Sequence, residues 1–138
     1  MQRLTQEILR LCREYGECRV EVERMEEARR VKNALESVCA MARQRLDISD
    51  PALLLALLDA CEVTRDEGML QEVLDVVGRN LDRLAVSAES VKLLACCYYY
   101  VEEEECVERA GRMLEELRKM GRWEEELADV ETILEELT

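Results

Sequence analysis

Seven cysteines, 32 carboxylates and the run Tyr98-Tyr99-Tyr100 are the groups in this chain with reactive potential, and there is no histidine. That absence removes the usual general base near neutral pH, and it leaves any cysteine nucleophile without an imidazole partner. The carboxylates gather in glutamate runs such as Glu102 to Glu105. In that setting they solvate helix surfaces and do not form an acid/base pair. No G-x-S-x-G, G-x-x-x-x-G-K-[ST] or G-x-G-x-x-G segment is present. The cysteines stand at 12, 18, 39, 61, 96, 97 and 106, with no C-x-x-C pair, which argues against zinc. Di-metal bundles need inward Glu-x-x-His pairs, and no Asp/Asn/Gly loop resembles an EF-hand. The expectation is a protein that is not an enzyme, with no catalytic residue, no metal and no cofactor.

The cysteines have a plainer use. Most of them fall at apolar positions of a helical pattern, where a free thiol behaves as a small hydrophobe. Their number is odd and Cys96 and Cys97 are adjacent, so a disulfide framework is disfavoured. An intracellular, reducing compartment is expected, cytoplasm or nucleus, with an organelle as a further option.

The tyrosine run poses a packing problem. Three consecutive helical residues spread over about 200° of circumference, so they cannot share one core. Tyr98 is expected inside and Tyr99 and Tyr100 nearer the surface, where tyrosine suits interfaces. The bland alternative wedges all three between neighbouring hairpins. Trp123, the single Trp, either closes a core edge or anchors a partner. Arg29 and Arg30, with Arg24 and Lys32, form either a positive patch or a solvated face of mixed charge. Tyr99, Tyr100, Arg29, Arg30 and Trp123 are the candidate partner-binding residues.

Net charge is −13 over 138 residues, and the last third is the most acidic. A field of that sign repels phosphate backbones, so nucleic acid is disfavoured as the main ligand. The longest apolar run, Ala52 to Leu58, is far below the ~20 residues a membrane span needs.

The elements that position these groups read as helices throughout. One Pro and five Gly leave little room for sheet turns. Leu4, Ile8, Leu11 and Tyr15 line a first helix, Gln2 to Tyr15, that Gly16 should stop. A second, the longest, is expected from Cys18 or Val20 to Leu46, roughly 40 Å. Asp50 and Pro51 open a third, central helix ending near Val63. Asp66 caps a fourth, with the stripe Leu70, Leu74, Val77, Leu81 and Leu84. Gly78 within it signals a bend or a close neighbour. Ser87 caps the fifth, the glutamate run precedes the sixth, and Gly121 ends that one. A seventh, residues 122–137, caps the array with an acidic outer face of Glu124, Glu125, Glu131 and Glu135.

An internal echo organises these helices. Shifting Asp50–Arg83 by 37 positions lays Leu54 on Val91, Leu57 on Leu94, Met69 on Cys106, Val73 on Ala110 and Val77 on Leu114. A fixed period of this size marks stacked helical hairpins. With Leu57-Leu58-Asp59-Ala60-Cys61 and Ala110-Gly111-Arg112-Met113-Leu114-Glu115-Glu116-Leu117, residues 50–120 resemble the helical-hairpin repeat superfamily of tetratricopeptide and pentatricopeptide proteins. A pentatricopeptide likeness would imply single-stranded RNA binding, one base per repeat.

The reading is therefore an all-α single domain, residues 1–138. About seven mostly antiparallel helices stack as hairpins into a short solenoid or compact bundle. Residues 1–46 make a first hairpin with a long second helix, and 50–84 and 87–120 make matched hairpins. The expected role is a non-catalytic interaction module or scaffold that docks a peptide or partner helix. An organellar RNA-binding repeat protein and a self-assembling structural protein, homo-oligomeric through its helix faces, are the alternatives.

Overall fold

The computed structural model describes residues 2–123 and 125–137. The fold is all-α, with seven α-helices and no strand among the described residues. Packing divides the chain into two compact units, Met1–Arg79 and Asn80–Thr138.

The first unit holds α1 (Gln2–Cys18), α2 (Met25–Arg43), α3 (Pro51–Thr64) and α4 (Glu67–Arg79). α3 is its centre, packing on α1, α2 and α4. The cause is in the sequence: Leu53, Leu54, Ala56, Leu57, Leu58, Ala60 and Cys61 are all buried, so this helix has to be covered on several sides. Asp50 starts it by accepting the Leu53 N–H, and Pro51 takes the first turn, where its missing N–H does no harm.

Three boundaries differ from expectation. Gly16 does not stop α1, which runs on to the buried Cys18. Gly16 has no positive φ, and the Arg19 N–H still reaches the Tyr15 carbonyl at 3.0 Å. α2 starts only at Met25, because Glu21 is extended and residues 22–24 form a 3-10 turn. It remains the longest helix at 19 residues, or about 28 Å. α4 ends at Arg79, and Leu81–Arg83 is a separate 3-10 turn. Gly78 is thus the next-to-last residue of α4, and a Cβ there would meet nothing within 4 Å, so no neighbour approaches closely. The buried stripe of α4 is Met69, Val73 and Val77, displaced by one position from the Leu70–Leu74 line.

The second unit holds α5 (Ala88–Val101), α6 (Glu104–Lys119) and α7 (Ala128–Leu137). α5 packs on α6 and α7, and α6 on α7. α6 stops at Gly121, as expected. Gly121 has φ +67, the Arg122 N–H reaches the Leu117 carbonyl, and the Gly121 N–H reaches that of Arg118. This is the Schellman arrangement that glycine favours. α7 starts five residues later than Trp123, after a 3-10 turn at Glu125–Leu127. Glu124 lies outside the described residues.

Positions 37 apart in the two units carry the same local devices. Asp50 and Ser87 each accept an N–H three residues on. Arg65 and Glu102 each adopt the left-handed conformation, with φ 58 and 53, and each returns its N–H to the carbonyl four residues back. Two-residue turns follow, so α3–α4 and α5–α6 fold back as antiparallel hairpins. The buried trio Met69, Val73 and Val77 corresponds to the buried trio Cys106, Ala110 and Leu114. One device is not shared. Asp66 accepts the Met69 N–H at the start of α4, whereas Glu103 makes no side-chain cap at the start of α6.

Candidate interaction groove

Among the described residues a groove lies between α6 and α7. α6 is amphipathic and buries Cys106, Val107, Ala110, Met113, Leu114 and Leu117. Val107, Gly111, Leu114, Glu115 and Arg118 recur at helical spacing along one stripe of this helix. With Glu131, Leu134 and Glu135 of α7 they line a groove of about 280 Å³. The space beside Gly111 is open, since a Cβ there would meet nothing within 4 Å.

Three side chains close one end of the groove. The Trp123 Nε1–H donates to Glu131 Oε2 at 3.0 Å. The Arg118 guanidinium lies 4.7 Å from the Trp123 ring centroid, a cation–π distance. Arg118 also pairs with Glu131. Glu131 therefore turns inward, its side chain only 24% exposed, and does not join the acidic outer face expected of it. Among the described residues the lining combines Val107, Leu114 and Leu134 with Glu115, Glu131, Glu135 and Arg118, and Arg118 pairs with Glu131.

All seven thiols are free, and six of them are buried. Burial pushes Cys39, Cys61 and Cys97 up to about 12 and Cys12 up to about 11. Burial at these four positions disfavours the thiolate near neutral pH. Among the described residues no group of three or more His, Cys, Asp and Glu could hold a metal ion.

The five candidate residues separate. Trp123 reaches the groove end. Tyr99 and Tyr100 do not line the groove. Tyr99 is 75% exposed near the end of α5, and its ring meets half-buried Tyr100 edge-on, with centroids 5.1 Å apart. Tyr98, expected inside, is only half-buried, and Cys97 takes the core position. Arg29 and Arg30 are exposed on α2, in the other unit. The positive patch is thinner than expected, because Arg24 turns to Glu27 and Glu21.

Gly111, Arg118 and Glu131 escaped sequence reasoning. A mid-helix glycine was the available signal for the first. The Arg118–Glu131 pair spans a turn whose course no local pattern fixes. The cluster of exposed apolar residues Val20, Val22 and Met25 at the α1–α2 connection was also missed. In the first unit, Arg43 ties α2 to the α3–α4 turn and to α4, pairing with Asp66 at 3.5 Å and with Glu72. It borders a cavity of about 210 Å³ with Glu36, Cys39, Thr64, Asp66 and Met69. This is an inter-helix staple.

No protein-family model, curated protein or solved structure matches the chain. No helix among the described residues is long and apolar enough to cross a membrane.

Proposed function

We propose that this chain is a non-catalytic protein-interaction module of the helical-hairpin repeat kind, docking a peptide or partner helix in the α6–α7 groove. The observation that carries the reading is a groove lined by Val107, Leu114 and Leu134, with open space beside Gly111. Helix-in-groove recognition uses apolar linings to take anchors at i, i+3, i+4 and i+7. The devices repeated 37 positions apart support the hairpin-repeat reading. Seven free thiols support a reducing compartment.

Selection from a displayed library of helical peptides tests the reading. The purified chain should enrich sequences with apolar residues at those anchor spacings, and Gly111→Leu should abolish the enrichment. Equal enrichment on the variant, or none on either protein, removes the groove-docking function.

A further inference from the structure

Resting on the interaction-module reading, we propose that the groove's occupant is an amphipathic helix of a partner protein that carries Lys or Arg beside its apolar anchors. The argument starts from size. At about 280 Å³ the groove sits at the small end of the ~300–1,000 Å³ range of ligand sites, a size that one or two aliphatic side chains of a helix lying across it would fill. The charge at its edge then selects the helix. Among the described residues Glu115, Glu131 and Glu135 line it with Arg118, which pairs with Glu131 and lies over Trp123. Residues 80–138 carry 16 acidic and 7 basic side chains, so the surrounding field has the same sign as the rim. A helix bearing carboxylates would set like charges against Glu115 and the acidic field around it. One bearing ammonium or guanidinium groups would gain at the rim and be steered in by the field. A second copy of this chain is a poorer occupant. Its exposed apolar segment around Val20, Val22 and Met25 has as many acidic as basic residues from Arg19 to Arg30.

Trp123 is the only Trp and touches two groove residues, so its emission is a built-in reporter. Three synthetic helices of about 14 residues share one leucine pattern and carry Lys, Gln or Glu at every other position. Each is titrated into the full chain at low and high NaCl. The Lys peptide should bind at least about tenfold tighter than its Gln twin and weaken by about tenfold at high salt, while the Glu peptide should not bind. Gly111→Leu, which changes no charge, should abolish binding. Glu115→Gln should shrink the Lys-over-Gln preference by about threefold.

Several outcomes overturn the inference. If the Gln twin binds as tightly as the Lys peptide and Gly111→Leu removes both, the docking function stands and the basic partner falls. If the Lys peptide binds Gly111→Leu as well as the parent, the attraction is diffuse charge and not the groove. If no peptide binds, the module reading falls as well. If sedimentation shows a dimer that Gly111→Leu dissociates, the occupant is a second copy.

Discussion

A buried thiol holds its proton, because the thiolate loses its hydration there. Cys12 is pushed up to about 11, and Cys39, Cys61 and Cys97 to about 12, from an ordinary value of 9.0. Linkage fixes the sign of the consequence. Below about pH 9 folded and unfolded chains both keep these protons, and the contribution to stability is whole. Between about pH 9 and 12 the unfolded chain releases them while the folded chain keeps them, so stability falls as pH rises. The urea midpoint should be level from about pH 7 to 8.5 and drop steadily by about pH 10.5, less steeply in Cys39→Ala. A midpoint unchanged at the alkaline end would show that these thiols are not sealed.

Caps govern the next scale. Asp50, Asp66 and Ser87 each satisfy an N–H that a helix start leaves without a partner, whereas Glu103 does not. Ser87→Ala should therefore cost about 1 kcal/mol in chemical denaturation. Glu103→Asp, which gives α6 the cap that Asp66 gives α4, should stabilise by roughly 0.5–1 kcal/mol. No gain from that substitution would mean the Glu103 backbone does not support the geometry that Asp66 uses. Such starts were legible in the sequence because they are local: Asp50-Pro51, Ser87 and the stop at Gly121 each signal within a few residues. The run Ala52–Leu58 likewise announced a central helix. What was not legible depended on contacts from elsewhere. Burial of Cys18 carries α1 through Gly16, and the fourth helix turns by one residue so that Met69 and Val73 face inward. Of the candidate residues, Trp123 contacts groove-lining side chains, Glu131 and Arg118. Glu131 reads as an outer-face carboxylate by its helical position, and its contacts to Trp123 and Arg118 come from residues 8 and 13 positions away.

Charge acts on the whole molecule, and unevenly. Residues 1–79 carry 16 acidic and 12 basic side chains, while residues 80–138 carry 16 and 7 on a shorter stretch. Ion pairs offset part of this in the second unit, through Arg109 with Asp82 and Glu105, and Arg118 with Glu131. Pairs of this kind, at least one partner largely exposed, contribute only about 0–1 kcal/mol each. The remaining carboxylates repel over distances that salt controls: the screening length falls from about 30 Å at 0.01 M to about 8 Å at 0.15 M. Salt therefore weakens both effects, and the net sign depends on which is larger. With more than twice as many acidic as basic side chains in the second unit, repulsion is the larger. Adding salt should raise its stability. Because Trp123 is the only Trp and lies in that unit, its emission reads the transition there. The Trp-detected melting temperature should rise by several degrees between about 0.01 M and 0.15 M NaCl, on the scale where 1 kcal/mol shifts a small domain by about 4–8 °C. A fall over the same range would mean that the Arg109 and Arg118 pairs outweigh the repulsion. The acidic field that favours a basic partner would then be a weaker force than its residue count implies.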